Sequence, residues 1–473
     1  MSADPAGTRP VSTGPTSARL TAIPGRIPDP AGAYDLAALG YTEQEFLLEG
    51  TAHSYRMSGE RTADGRWSVE PADQAPYTTR VLLRRPADDA RFSGTVVVEW
   101  LNVSGGLDAA PDWMLAHTQM LRRGHAWAGV SAQRAGIEGG GLVEGMHLKA
   151  AHPHRYAALS HPGDAWSFDI FSQAGRALLA EPGLLPGAGT QAARLLGSGH
   201  SQSAAFLVTY VNAIDPHAAV FDGFLVHGRT GAGAALDTGF RPAASTRGAG
   251  ERIRDDLRVP VIVLQTETDV TLLGSGLAQQ PDSDLLRNWE IAGAAHADTY
   301  LLFASGQDDG ALPPGRLAEL MRPTTDILMG RTALPVNSGP QHHYVECAAL
   351  DLLDSWVAGR AKPPSASRLD VTADGRDLRR DNLGIATGGI RTPWTDVPVA
   401  VLSGTGQRGE MFAFLFGTTT GLSDADLARL YPGGKADYLV KFEVSLDSAI
   451  EAGFLLPDDR AEILAVADAS WPG

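Results

Sequence analysis

The chain is poor in cysteine: Cys347 is the single one among 473 residues. A disulfide framework needs pairs and a thiolate metal site needs several ligands, so both are excluded. Long apolar runs are missing as well, and no stretch approaches the ~18 residues of a membrane-spanning helix. Residues 1–30 contain no apolar core of the kind a secretory signal carries. They are rich in Pro, Gly, Ser and Thr and are expected to be disordered. The corresponding expectation for location is cytoplasmic, with secretion of a longer precursor left open. Positive charge is in deficit, with 39 Lys and Arg against 55 Asp and Glu and a net charge of −16. That balance argues against nucleic acid and against an anionic membrane as partners. There is no Walker P-loop, no G-x-G-x-x-G opening a helix after a strand, no H-E-x-x-H and no C-x-x-C. His152, His154, His342 and His343 read as loop histidines, so neither a metal nor a cofactor is expected. No internal repeat is present.

What remains is ordinary globular material, 43% hydrophobic and 20% charged, enough for a large core. Strands are predicted over 45–57, 77–84, 94–102, 125–132, 194–196, 220–227, 259–266 and 287–293. Val96, Val97 and Val98 in succession mark a strand buried on both faces. Helices are predicted over 112–123, 164–179, 204–213 and 345–359. Strands alternating with helices at this spacing predict an α/β fold, a mainly parallel sheet covered on both faces. Two long excursions, 133–163 and 228–250, read as the wall and lid of a site. Residues 362–365, K-P-P-S, look like a hinge. An extension over about 366–473 follows, with Ser423 capping one helix and further helices over 437–453 and 458–469. The whole of 31–473 is read as one domain with that extension packed on its body.

The stretch that organises the rest is 193–205, A-R-L-L-G-S-G-H-S-Q-S-A-A. A buried strand runs through Gly199-His200-Ser201-Gln202-Ser203 into an apolar helix, which is the layout of a nucleophile elbow. The tight turn demands small residues around Ser201 and lifts its hydroxyl above the sheet edge. The fifth position of the motif is Ser203, where Gly is usual. A serine hydroxyl is a poor nucleophile until a base takes its proton and a carboxylate orients that base. His296 follows the last core strand directly and is the preferred base among 13 histidines, ahead of His200, His342 and His343. Two acids compete at the end of the preceding strand, Asp269 and Glu267, with Asp269 preferred. For the oxyanion hole the N–H of Gln202 is expected, with Val103 as second donor from the loop after the third strand. Asn102 and His200 are the candidates for contact with substrate. Trp100, Trp113, Trp127, Trp166 and Trp289 could line an acyl pocket, though strand and helix periodicity already accounts for most as core.

With these pieces in place the chain resembles the α/β-hydrolase superfamily, and within it the bacterial group of "alpha/beta hydrolase domain" proteins. The resemblance rests on V-V-V-E-W-L-N-V-S-G-G (96–106), H-P-G-D-A-W-S-F-D-I-F-S-Q-A (161–174), G-H-S-Q-S-A (199–204), T-E-T-D (266–269), W-E-I-A-G-A-A-H-A-D (289–298) and G-G-I-R-T-P (388–393). It extends from about Tyr34 to the end of the chain. Members of the group usually carry Glu where His200 stands, a departure that bears on pH response or substrate choice. The resemblance implies a serine esterase acting on a small-molecule ester through Ser201, His296 and Asp269, with no substrate identified. Acyl transfer by the same residues is the alternative, and a non-catalytic binding protein on the same fold is a further one. The oligomeric state is not legible.

Overall fold

Val96 and Val98 pack into one hydrophobic cluster and Val97 into another. The same division recurs in each neighbouring strand: Leu195 against Leu196, Phe224 and Val226 against Leu225, Val261 and Val263 against Ile262 and Leu264. Successive side chains of a strand point to opposite faces, so these apolar runs demand cover on both sides of one sheet.

The computed structural model describes residues 18–28, 32–141, 143–186, 193–237, 250–328, 330–373, 377–409 and 412–472. Nine strands form the main sheet: β1 (Arg19–Ala22), β2 (Tyr41–Met57), β3 (Val69–Pro86), β4 (Thr95–Trp100), β5 (Ala126–Val130), β6 (Arg194–His200), β7 (Gly223–His227), β8 (Val261–Thr266) and β9 (Leu286–Ile291). Their order is β1-β2-β3-β5-β4-β6-β7-β8-β9. β1 to β3 are antiparallel neighbours and β3 joins β5 antiparallel, whereas β5, β4, β6, β7, β8 and β9 run parallel.

Parallel neighbours need crossovers, and these supply the cover. Helices α1 (Pro111–Arg123), α2 (Ser167–Ala180), α3 (Gln202–Thr209), α4 (Glu267–Thr271) and α5 (Gln341–Val357) follow in chain order. α2 and α3 cover one face through Phe168, Phe171, Phe206 and Val208. α1 and α5 cover the other through Trp113, Ala116, Val345 and Leu353. In the extension, α6 (Lys435–Glu451) and α7 (Arg460–Ala469) bury Tyr438, Phe442, Leu446 and Ile463 in this second cluster. The G-G-I-R segment also lies beside β9: Ile390 N–H donates to Glu290 O at 2.6 Å, and Ala292 N–H to Ile390 O at 3.0 Å.

Two expectations fail. Disorder up to residue 30 does not hold over Arg19–Ala22, which pair with Phe46 to Glu49 of β2; short Leu- and Thr-containing segments gain order when a long neighbouring edge is available. The K-P-P-S segment is no free hinge, because Arg287 Nε donates to Pro363 O at 2.8 Å and Trp289 Nε1 to Pro364 O at 2.9 Å. Trp100, Trp113, Trp127 and Trp289 are fully buried core residues and Trp166 packs partly buried against the first cluster. Among the described residues no helix is long and apolar enough to cross a membrane.

Candidate active site

The parallel strands all end at one sheet edge, where open α/β sheets bind ligands. β6 ends at His200, and Ser201 caps α3 with φ 63° and ψ −119°. Positive φ costs a β-carbon-bearing residue ~1–3 kcal/mol, and among the described residues only Ala219 shares it outside glycine. The elbow is locked on both sides. Ser201 N–H donates to His227 O at 2.9 Å, and a β-carbon at Gly199 would stand 3.1 Å from Ser203 Cβ. Ser203 fits where Gly is usual because its hydroxyl donates to Leu101 O at 3.2 Å, tying α3 to the end of β4.

At the end of β8, Thr266 caps α4 and clamps Asp269. Thr266 N–H and Oγ1 both donate to Asp269 Oδ2, at 2.7 and 2.8 Å. The other oxygen, Oδ1, lies 2.6 Å from His296 Nδ1. Asp269 is fully buried and His296 is 3% exposed. The carboxylate therefore holds the His296 ring with Nδ1 protonated and leaves Nε2 as the free nitrogen. Thr268 Oγ1 accepts from His296 N–H at 3.1 Å and fixes the same loop. Ser201 Oγ has no hydrogen bond to His296 among the described residues. His200, the residue before Ser201, packs its ring centroid 4.3 Å from that of His296.

Glu267 does not meet His296. It accepts from Gly293 N–H at 2.7 Å, Gly404 N–H at 2.9 Å and Ser403 Oγ at 3.1 Å, with Arg380 at 3.7 Å. It ties β9 and the extension to α4. Burial raises its pKa against the opposing pull of Arg380. Asn102 is consumed in the same structural way: its Nδ2 donates to His200 O at 3.0 Å and its Oδ1 accepts from Ser104 N–H at 2.9 Å. With a bond at each end of its amide, Asn102 braces the β4 loop against the elbow. Val103 lies in that braced loop, and its N–H has no backbone acceptor among the described residues. Gln202 is the first residue of α3, so its N–H has no intrahelical acceptor. The 133–163 segment abuts this loop, with Gly141 closely approaching Gly106. Of the 228–250 segment, residues 238–249 lie outside the described residues. A cleft of about 580 Å³ lies elsewhere, among Met321, Trp394, Leu402 and Tyr438, and neither Ser201 nor His296 lines it.

Comparison with known families matches residues 8–465 to an alpha/beta hydrolase domain. The chain belongs to that family. Among solved structures, it is 13% identical to a hyperthermophilic esterase from the archaeon Pyrobaculum calidifontis, covering 48% of this chain and 75% of that one at TM-score 0.27. It is 14% identical to a putative dienelactone hydrolase from Klebsiella pneumoniae, covering 56% and 93% at TM-score 0.29. A glucuronoyl esterase from Solibacter usitatus is 12% identical, covering 58% and 85% at TM-score 0.27. No curated protein matches.

Beneath the elbow of this alpha/beta hydrolase domain lies a group of residues that sequence reasoning missed. His200 is 4% exposed and does not face an open pocket. Its ring packs 4.4 Å from that of His227 as well as against His296. His342 and His343 are not loop histidines either. α5 begins at Gln341, four residues before the predicted start, and carries both into the core. His227 Nε2 lies 2.6 Å from His342 Nε2, and His227 Nδ1 lies 2.9 Å from Asp112 Oδ1 and 3.6 Å from Glu346 Oε2. His342 Nδ1 faces Asp298 Oδ2 at 3.7 Å. One nitrogen each of His200, His227 and His342 falls within 4.8 Å of the others, as do donor atoms of Asp112, His227 and Glu346. Burial, reinforced by Asp112, Glu99 and Asp298, pushes the Glu346 carboxyl well up. Burial also pushes Asp298 up to about 7. It drives His200 and His342 well down, each further depressed by its histidine neighbours. The signal for this group was the presence of buried-strand histidines, but its members come from the ends of β6 and β7, from α1 and α5 and from the loop after β9. No spacing rule unites them.

Proposed function

We propose that the protein hydrolyses carboxylic esters or lactones through an acyl-serine intermediate, with Ser201 as nucleophile, His296 as base and Asp269 as the orienting acid. The observation that carries the reading is the 2.6 Å contact of His296 Nδ1 with a doubly clamped Asp269, on the same sheet edge as a serine held at φ 63°. In this reading His296 Nε2 takes the Ser201 Oγ proton as the oxygen attacks the ester carbonyl. The tetrahedral oxyanion receives N–H groups from Gln202 and Val103, each worth ~3 kcal/mol in the transition state. Collapse expels the alcohol, which takes the proton from His296. A water then attacks the acyl-enzyme with His296 again as base, and the acid leaves as Ser201 regains its proton. Asp269 holds the ring and stabilises the imidazolium.

The burial of His296 supports a second reading, acyl transfer, in which an alcohol or amine replaces water at a site closed to solvent. Turnover of p-nitrophenyl acetate and butyrate by the wild type and by Ser201→Ala tests the first reading, combined with mass spectrometry after a fluorophosphonate probe. The expected result is one adduct, on Ser201, and loss of turnover in the variant. Absence of both turnover and adduct in the wild type sinks the reading. Adding alcohol acceptors and measuring acid against new ester separates hydrolysis from transfer.

A further inference from the structure

We propose that His200, His227 and His342 bind one divalent transition-metal ion of the zinc class beneath the elbow. His227 turns Nδ1 to Asp112 Oδ1 at 2.9 Å, which sets its N–H on that nitrogen and leaves Nε2 as a lone pair. That lone pair faces His342 Nε2 at 2.6 Å, while His342 Nδ1, 3.7 Å from Asp298 Oδ2, has no hydrogen-bond partner. His200 Nε2 is likewise buried with no hydrogen-bond partner. One nitrogen of each ring lies within 4.8 Å of the others, so a cation that displaces the proton shared by His227 and His342 meets converging imidazole nitrogens. An imidazole nitrogen facing the metal with its other nitrogen on a carboxylate is the arrangement that zinc-binding histidines adopt.

The carboxylates behind the histidines point the same way: Asp112, Glu346, Asp298 and Glu99 are all buried here. Both oxygens of Glu346, along with Asp112 Oδ2 and Asp298 Oδ2, lack hydrogen-bond partners. Glu346 stands one helical turn beyond His342 on the same face of α5. Metal–nitrogen bonds of ~2.0–2.1 Å place tetrahedral ligand atoms about 3.3 Å apart, so the His227 and His342 nitrogens, now at 2.6 Å, part by ~0.7 Å and the His200 nitrogen, within 4.8 Å of them, closes in. Gly228 keeps that space open, since a β-carbon there would stand 3.0 Å from His200 Nε2 and 3.1 Å from His296 Cε1. Imidazole ligands suit zinc, copper, iron and nickel, and a wholly buried three-histidine set with carboxylates behind it suits zinc. The ion would pin the ends of β6 and β7 to α5. Because His200 precedes Ser201 and packs on His296, its role is to position the elbow and not to touch substrate.

The test uses the full chain, produced in zinc-supplemented medium and analysed by inductively coupled plasma mass spectrometry. About one zinc per chain is expected after gel filtration. After chelator treatment, cobalt(II) should restore one equivalent with the visible d–d bands of tetrahedral imidazole coordination, and zinc should raise the melting temperature of the stripped chain. His227→Gln and His342→Gln should each lose at least ~90% of the metal, while His152→Gln retains it. If both cluster variants fail to fold, the wild-type cobalt spectrum and the zinc-dependent melting shift decide. Zinc below about a tenth of an equivalent, with no cobalt bands and no melting shift, overturns the proposal. So does metal that is retained equally by folded His227→Gln and His342→Gln.

Discussion

Asp269 and Glu267 are two residues apart, both fully buried, both at the end of β8, yet their replacement by amides should have opposite consequences. In Asp269→Asn the amide must turn its oxygen to the two donors of Thr266, which reach Oδ2 at 2.7 and 2.8 Å. That leaves the NH₂ group facing His296 Nδ1, where Oδ1 accepted at 2.6 Å. Two donors cannot share that contact, so His296 moves its proton to Nε2. A ring protonated at Nε2 cannot accept the proton of Ser201. An Asp→Asn change of this kind lowers kcat by ~10⁴ in serine proteases, and the expectation here is a loss of roughly 10³–10⁴ in kcat/KM, or ~4–5.5 kcal/mol. Glu267→Gln meets donors on both oxygens, Gly293 N–H on one and Gly404 N–H with Ser403 Oγ on the other. One buried donor then faces an NH₂, which costs ~1–3 kcal/mol of stability and leaves the Asp269–His296 contact in place. Kinetics with p-nitrophenyl butyrate and urea unfolding followed by tryptophan fluorescence measure the two effects. If folded Glu267→Gln loses more than ~100-fold in kcat/KM while Asp269→Asn loses under tenfold, the assignment of the acid is wrong.

Ser201→Gly should be more stable than Ser201→Ala by about 1 kcal/mol, because relief of positive-φ strain (~1–3 kcal/mol) exceeds the entropy cost of glycine (~0.5–1 kcal/mol); equal urea midpoints would mean that the elbow is not strained. Phe442→Ala should cost ~3–5 kcal/mol, since the ring is fully buried between Trp394 and Tyr438; a change under ~1 kcal/mol in chemical unfolding would show that the extension is not part of the common core. Burial, followed by the charge of Asp308, pushes Glu462 up to about 7. Its folded pKa then lies above the unfolded value of ~4.3, so its contribution is intact below ~pH 4.3 and is lost as pH rises through about 7. Glu462→Gln should retain the hydrogen bond from Tyr344 and gain roughly 1–2 kcal/mol at pH 8.5 with little change at pH 4; a stability difference that does not vary with pH would refute the buried-carboxyl account.

Local patterns carried a large share of this protein. The two-residue alternation of Val96, Val97 and Val98 and of the runs around Leu195, Leu225 and Ile262 implied a sheet covered on both faces, and that cover is present. The small residues around Ser201 implied a strained turn, which φ 63° shows. Ser423 was legible as a helix cap because a cap acts on the next three residues, and it accepts from Asp426 N–H at 3.1 Å. What depended on segments far apart in the chain was decided by packing. Asp269 and Glu267 occupy one short turn, and only the clamp of Thr266 and the arrival of residues 403–404 assign them different partners. Asn102 reads as a polar loop residue until the elbow carbonyl of His200 comes within 3.0 Å. The cluster of His200, His227 and His342 exists because β6 and β7 are sheet neighbours and α5 lies across their face. Propensity and periodicity act over a few residues, whereas strand order and helix docking are set by the burial of whole surfaces, and it is these that bring the buried histidines and carboxylates together.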